Sequence, residues 1–131
     1  RRQRQMCIRD SFQTMAKAVA ACQQPEGYWT RSLLDPEHAP GPETSGTTFF
    51  TYGLLWGMNN GFLDKATYQP VVEKAWKYLT TVALQPDGRI GYVQPIGEKA
   101  IPGQVVDANS TANFGVGAFL LAACEMVRFM D

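Results

Sequence analysis

The pattern of hydrophobic and polar positions predicts four helices of two alternating kinds. Residues 5–23 and 67–82 carry apolar side chains at steps of three and four, which is typical of an amphipathic helix with one wet face. Pro70 is expected in the first turn of the second of these helices. Residues 44–60 and 111–130 are apolar on every side, and such helices are expected to be buried. The stripe of the first helix consists of Ile8, Phe12, Met15, Val19 and Cys22.

The stretch PETSGTTFFTYGLLWGMNNGFLD, residues 42–64, is the centre of this pattern because its interior is uncharged after Glu43. Thr44 or Ser45 is expected as the N-cap of its helix, and Gly61 is expected to end the helix in a left-handed conformation. The interleaved Thr, Ser, Asn and Gly residues argue against a membrane span, which is more uniformly apolar over about 20 residues. We therefore expect an inner helix of a larger helical assembly.

The two halves of the sequence resemble each other. Residues 24–27, QPEG, match residues 85–88, QPDG, at a spacing of 61 residues, and residues 52–55 match residues 116–119 at a spacing of 64. A repeated unit of one outer and one inner helix indicates a repeat array, in which neighbouring units bury each other's inner helices. Two units are too few to enclose two buried helices. Because the chain also starts without Met or an apolar leader, we expect a piece of a longer protein.

Composition removes several classes of function. Lys and Arg number 12, as do Asp and Glu, so no net charge favours nucleic acid or an anionic membrane. The arginines at positions 1, 2, 4 and 9 are interpreted as a solvated helix face. The three cysteines form no CxxC pair and are expected to be buried free thiols. His38, the one histidine, lies in a Pro-rich loop and is expected to be solvated, so we predict no metal and no cofactor.

Four segments carry a resemblance to a known family: GYWTRSLLDP, PETSGTTFFTYGLLWGMNNGFLD, PDGRIGYVQPIG and FGVGAFLLAACE. Together they resemble the C-terminal third of glycoside hydrolase family 105, the unsaturated rhamnogalacturonyl hydrolases, and more distantly family 88, the unsaturated glucuronyl hydrolases. The resemblance implies an all-α fold, part of an (α/α)6 barrel or six-hairpin glycosidase, of which residues 1–131 are about two hairpins. The chain is then a single segment in the C-terminal part of a catalytic domain.

The resemblance also implies a chemistry. Such enzymes hydrate the C4=C5 double bond of a terminal unsaturated uronic acid on a pectin-derived rhamnogalacturonan oligosaccharide, with an aspartic acid as proton donor. Nothing in this chain matches the family's catalytic aspartates or its W-x-R-x-x-G-W segment, which belong further toward the N-terminus. The catalytic residues are therefore unknown here, and the 131 residues alone are expected to be inactive.

In such a barrel the loops that lead into the inner helices lie at the mouth of the substrate pocket. Helix N-termini suit anionic or hydroxylated sugars, although the same serines can simply cap the helices. The resemblance to family 88 points to Ser110 as a substrate contact. Aromatic and guanidinium side chains can stack on sugars or bind carboxylates, but they can equally pack on the barrel edge or remain solvated. The substrate-binding candidates are Glu43, Thr44, Ser45, Asn109, Ser110, Thr111, Trp29, Arg31 and Tyr92.

Alternatives from other classes remain open. The chain could be a non-catalytic α/α module that binds carbohydrate or a protein. The presence or absence of catalytic aspartates elsewhere in the protein decides between a hydrolase and such a module. A terpenoid cyclase or prenyltransferase piece is disfavoured because the sequence has no Asp-rich diphosphate motif. Exposed inner helices would promote self-association. The compartment is not determined by the sequence; a bacterial protein of this kind would be cytoplasmic or periplasmic.

Overall fold

The computed structural model describes residues 2–97 and 99–131, without the side chains of Arg2 and Gln5. Within these residues the chain is all-α. Four α-helices follow one another: α1 (Arg2–Ala21), α2 (Thr44–Asn59), α3 (Lys65–Tyr78) and α4 (Asn113–Met130). A short 3-10 helix spans Pro36–His38, and one π-helical turn, Leu79–Ala83, extends α3. Two isolated β-bridges, Trp29 with Glu43 and Leu84 with Ile90, close the loops.

Helix α2 is the central element and contacts each of the other three α-helices. Its N-cap is Glu43 rather than Thr44 or Ser45, so that prediction was wrong. The Glu43 carboxylate reaches the first free N–H groups of the helix, which leaves no capping role for the next two residues. Besides Leu55, the side chains that α2 buries completely belong to four threonines, and three of these donate to the carbonyl four residues earlier. The four threonines are Thr44, Thr47, Thr48 and Thr51.

The outer helices follow the predicted pattern with two differences. Helix α3 begins at Lys65, capped by Asp64, so Pro70 lies inside the helix and not in its first turn as predicted. In α1, Phe12 and Val19 pack on the core together with buried Ala16. Ile8 and Met15, assigned to the same stripe, remain 69% and 65% exposed because α2 covers only part of the helix face.

Helix α4 packs against α2 and buries the small residues Gly115, Ala118 and Ala122. A Cβ atom on Gly115 would lie 2.6 Å from Cγ2 of Val93, in the loop before α4. Complete burial was predicted, but Leu120 and Leu121 are 60% and 47% exposed because α2 covers one face only. Helix α2 likewise leaves Phe49 47% exposed. Among the helices that the structure describes, α4 is the one long and apolar enough to cross a membrane by length and composition. Its face toward α2, however, includes the carboxylate of Glu125, which accepts from Asn59 and Arg128.

The internal repeat is confirmed at the level of hydrogen bonds. In the first turn, Gln24 N–H donates to Tyr28 O and Gly27 N–H donates to Gln24 O, both at 2.9 Å. In the second turn, Gln85 N–H donates to Arg89 O at 2.8 Å and Gly88 N–H to Gln85 O at 2.9 Å. The two turns therefore share one backbone conformation, with a glycine at positive φ in each (100° and 85°).

The predictions about isolated reactive groups have mixed outcomes. The cysteines are free, but Cys7 and Cys124 are exposed and not buried as predicted. Both lie on helix faces that no described residue covers. His38 is exposed, as expected. Of the arginines assigned to a solvated face, Arg4 and Arg9 are exposed, whereas Arg1 lies outside the described residues.

Candidate functional site

A polar cavity of about 360 Å³ opens where the N-termini of α2 and α4 approach each other. The start of α2 contributes Ser45 and the start of α4 contributes Phe114. The long loop before α4, within the second repeat, closes the other side. This volume is within the range of about 300–1,000 Å³ for small-ligand pockets. The polar members of its lining are Arg31, Ser45, Gln94, Lys99 and Gln104.

Glu43 lies directly beneath this cavity and is 2% exposed. Its Oε1 accepts from Ser45 N–H at 2.9 Å, from Ser45 Oγ at 2.7 Å and from Gln94 N–H at 3.1 Å. Its Oε2 accepts from Gly46 N–H at 2.6 Å. The carboxylate thus caps α2 and also fixes the segment that begins at Gln94. Because four donors surround it, this group orders the cavity floor and is poorly placed to give a proton to a ligand.

Thr44 is fully buried and its contacts point away from the cavity. Its N–H donates to Tyr92 O at 2.8 Å, and its Oγ1 shares a hydrogen bond of 2.8 Å with the hydroxyl of Tyr78. Burial raises the pKa of Tyr78 well above its usual value, and the hydrogen bond from Thr44 opposes this increase only in part. Thr44 therefore belongs to the support of the site and not to its surface.

The second candidate loop, residues 107–111, forms a separate turn beside the cavity. Asp107 Oδ1 accepts from Asn109 N–H at 2.8 Å, and Ser110 Oγ accepts from Asp107 N–H at 3.0 Å. Ser110 is not a helix cap, because α4 begins after Ala112, which supplies no capping side chain. Instead its carbonyl accepts from Val93 N–H at 2.8 Å. Asn109 and Thr111 are exposed. None of these residues lines the cavity.

The three remaining candidates have different environments. Trp29 is 1% exposed, its indole N–H donates to Val19 O at 2.7 Å, and its ring packs on Phe50, so it offers no free face to a sugar. Tyr92 is half-buried with φ at 59°, a conformation unusual for a residue with a side chain. Only Arg31 reaches the cavity. The structure therefore brings Glu43, Ser45 and Arg31 together and leaves the others outside.

Sequence analysis missed the part of the lining that comes from the loop before α4, chiefly Gln94, Lys99 and Gln104. The sequence contains one signal that could have pointed to this loop. Lys99 is the sole cation between Arg89 and Arg128, within a loop rich in Gly and Pro. The contacts made by Gln94 and Gln104 are to residues 51 and 73 positions away, so no local pattern indicates them.

Carboxylates elsewhere are engaged in local structure. Hydrogen bonds from Thr67, first from its side chain and then from its N–H, hold the pKa of Asp64 below its usual value at the start of α3. The N–H of Arg89 does the same for the pKa of Asp87 in the second turn. Residues 2–97 and 99–131 contain no group of three or more His, Cys, Asp or Glu placed to hold a metal ion.

Comparison with known proteins assigns the chain to a protein family. The sequence profile of Glycosyl Hydrolase Family 88 matches residues 1–130. An unsaturated 3S-rhamnoglycuronyl hydrolase from Formosa agariphila is 44% identical over 120 residues, which are 92% of this chain and 31% of that protein. The chain thus spans about a third of the curated relative's length.

Several solved structures share the fold of this chain. A structure described as a polysaccharide lyase has a TM-score of 0.91 at 82% identity, over 96% of this chain and 36% of that one. A glycosyl hydrolase family 88 protein from Bacteroides vulgatus has a TM-score of 0.84 at 78% identity, over 88% and 33%. A possible family 105 member from Salmonella enterica shares the fold at 23% identity with a TM-score of 0.76, over 88% and 30%.

Proposed function

The chain belongs to Glycosyl Hydrolase Family 88, and from this premise we propose that it is part of an enzyme that removes a terminal unsaturated uronic acid from an oligosaccharide. Its fold is part of the six-hairpin glycosidase barrel of the GH88/GH105 group. The observation that carries the proposal is the polar cavity beside both inner-helix N-termini, where a saccharide would meet the side chains of Arg31, Ser45 and Gln104.

In the proposed reaction a carboxylic acid protonates the C4=C5 double bond of the uronic acid, and water adds to the adjacent carbon. The hemiketal that results then collapses and releases the neighbouring sugar. A general acid for this step needs a proton to give and a shielded position. No Asp or Glu among the described residues lines the cavity. As the family resemblance implies, we assign the proton donor to an aspartic acid in a part of the enzyme outside these 131 residues.

The role of this chain is to bind and orient the saccharide. Ser45 Oγ already donates to Glu43, which leaves its oxygen lone pairs for a sugar hydroxyl. Ile96, Ile101 and Phe114 provide apolar surface for the C–H faces of a sugar ring. A rhamnose-linked uronic acid, as in pectin-derived rhamnogalacturonan, is the proposed substrate. The name of the Formosa agariphila relative, unsaturated 3S-rhamnoglycuronyl hydrolase, supports the rhamnose-linked uronic acid, whereas the pectin origin rests on the family resemblance alone.

The test is an assay of the protein expressed from its complete reading frame. Loss of the ultraviolet absorbance of the C4=C5 double bond, together with release of the neighbouring sugar, is the expected result. The same oligosaccharide with a saturated terminus is the matched control and should be inert. The 131 residues alone should bind the oligosaccharide without turnover. Binding without turnover by the complete protein would instead favour a non-catalytic carbohydrate-binding module.

A lyase is the second candidate function, because the structure at 82% identity is described as a polysaccharide lyase. A lyase forms the unsaturated uronic acid by removing the C5 proton and expelling the 4-linked sugar, whereas the proposed hydrolase consumes the double bond. Incubation with the intact polysaccharide distinguishes the two directly. An increase in the absorbance of the double bond would indicate a lyase, and no change would be consistent with the hydrolase.

A further inference from the structure

Tyr92 has a backbone conformation that the repeat does not require. Its φ of 59° lies in the left-handed region, and among the described residues it is the single residue other than glycine with a positive φ. A Cβ atom makes this region unfavourable. At the spacing of 61 residues that relates the two turns, Tyr92 corresponds to Arg31, whose φ is not positive. The conformation of Tyr92 therefore has a cause in the second repeat itself.

The hydrogen bonds of residues 91–94 show what this conformation achieves. Tyr92 N–H donates to Asp107 O and Val93 N–H donates to Ser110 O, both at 2.8 Å, so two successive N–H groups reach one turn. In an extended chain, successive N–H groups point to opposite sides. A left-handed residue between them brings both groups to the same side.

The start of α2 holds the same segment through other groups. Thr44 N–H donates to Tyr92 O at 2.8 Å, and Gln94 N–H donates to the Glu43 carboxylate at 3.1 Å. Residues 94–97 follow directly and line the cavity. The direction that the chain takes at Tyr92 therefore determines where this part of the cavity wall lies.

We propose that Tyr92 is a positioning residue for the saccharide: its left-handed backbone, and not its ring, places residues 94–97 as a wall of the cavity. The inference rests on the proposed function and adds a residue that acts on the bound sugar through this wall. The ring itself is not part of the cavity lining. The unfavourable φ is offset by the hydrogen bonds that the segment makes to α2 and to the turn at residues 107–110.

The test is a series of substitutions at Tyr92 in the protein from the complete reading frame. Gly and Asn adopt a positive φ readily, Ala less readily and Val least. For Tyr92→Gly and Tyr92→Asn we expect KM for the unsaturated oligosaccharide to stay within about threefold of the wild type. For Tyr92→Val we expect KM to increase about tenfold, with kcat changed less than about threefold, because the wall binds the sugar and does no chemistry.

Two further variants keep the series decisive. If Tyr92→Val does not fold, Tyr92→Ala and Tyr92→Gly make the same comparison, because they differ by one methyl group, and KM should be higher for Ala. Tyr92→Phe tests the ring. A KM close to the wild type in Tyr92→Phe, with equal increases in the Gly, Asn and Val variants, would overturn the proposal, because the ring would then be the acting group.

Gly61→Val is the matched control for strain. Gly61 has φ of 70°, follows the end of α2 away from the cavity, and has open space where a Cβ would lie. This change should lower Tm as Tyr92→Val does, but it should leave KM unchanged. An equal increase of KM in Gly61→Val would show that loss of stability alone accounts for the effect at Tyr92.

Hydrogen–deuterium exchange of the Gln94 N–H tests the same wall without substrate. This N–H should stay as protected in Tyr92→Gly as in the wild type, and should exchange about tenfold faster in Tyr92→Ala. Equal protection in both variants would overturn the role of the backbone. If no oligosaccharide is hydrolysed, the proposed function fails while the exchange comparison still decides whether Tyr92 sets the wall. If hydrolysis occurs with the same KM in every variant, the positioning role fails while the proposed function stands.

Discussion

Gln94 N–H donates to the carboxylate of Glu43 at 3.1 Å, so a buried acid that caps the inner helix of the first repeat also holds the loop of the second. The same Oε1 accepts from the N–H and hydroxyl of Ser45. One carboxylate therefore connects the two repeats at the floor of the cavity. A side chain with this many donors around it is sensitive to any change of charge or hydrogen-bonding capacity.

Glu43→Gln should decrease the free energy of unfolding by about 2–4 kcal/mol, because an amide NH2 group would face N–H donors and the charge at the helix N-terminus would be lost. Urea unfolding of the wild type and the variant measures the difference. The expected change is in the midpoint, with little change in slope.

Glu73→Gln is the matched control, since Glu73 is exposed on α3 and accepts only from Gln69. Its effect should be within about 0.5 kcal/mol. A loss below about 1 kcal/mol in Glu43→Gln would mean that the network contributes much less than its geometry indicates.

The equivalent turn glycines Gly27 and Gly88 allow a comparison within one molecule. Both have positive φ, which costs a residue with a Cβ about 1–2 kcal/mol. A Cβ on Gly27 would also collide with the backbone carbonyl of Lys74, whereas one on Gly88 would meet nothing within 4 Å. We expect Gly27→Ala to lose about 3 kcal/mol or more and Gly88→Ala about 1 kcal/mol.

Thermal unfolding of the two glycine variants, measured side by side, checks this order. Gly117→Ala, in the interior of α4 with open space around the new methyl group, is the control and should be neutral or slightly stabilising. Equal losses at Gly27 and Gly88 would show that φ alone, and not the contact with Lys74, controls the first turn.

The parts of this fold that were predictable are those encoded locally. Apolar spacing defined α1 and α3, an uncharged run defined α2, and the QPEG and QPDG segments gave the two turns. Turn and helix signals act over a few residues, so a single sequence contains them in full. The repeat could be detected for the same reason, because it consists of two copies of local signals.

The site was less predictable because distant residues build it. Glu43 became the cap of α2 through a geometry that includes Gln94, and Arg31 is fixed by Gln104, 73 positions away. Burial was misjudged for a related reason. Met15 and Leu120 lie on apolar helix faces, but whether such a face is covered depends on which elements pack there. Sequence periodicity identifies the face and not its partner.

Stability should decrease at alkaline pH because of Tyr78. Burial raises the pKa of this hydroxyl above its usual value near 10, so from about pH 10 upward the native state binds more protons than the unfolded state. The free energy of unfolding then falls by up to about 1.4 kcal/mol for each pH unit. Below pH 10 this stabilisation is fully present.

The comparison that isolates Tyr78 is the slope of unfolding free energy between pH 9 and 11 in the wild type and in Tyr78→Phe. The variant loses the hydrogen bond to Thr44 at every pH, but its slope should be smaller. Tyr28, whose pKa is also raised by burial, remains in both proteins. Identical slopes would mean that Tyr78 ionises as easily in the native state as in the unfolded chain.

The exposed apolar face of α4 leads to a prediction that differs between the 131 residues alone and the protein from the complete reading frame. Leu120 and Val127 are each 60% exposed in this chain, which spans about a third of its relatives' length. In the 131 residues alone, Leu120→Glu should reduce self-association, measured by sedimentation, because it removes apolar surface. In the protein from the complete reading frame, the same change should lower the unfolding free energy by about 3 kcal/mol, since the rest of the barrel would bury the charge.

Lys74→Glu, on the exposed face of α3, is the control and should alter neither measurement appreciably. The contrast between the two contexts is the informative result, because it separates a face that is merely apolar from one that a barrel wall covers. If Leu120→Glu is tolerated in the complete protein, α4 faces solvent there. The inner-helix assignment of α4 would then have to be abandoned, even though its packing against α2 and the hydrogen bond between Asn59 and Glu125 would stand.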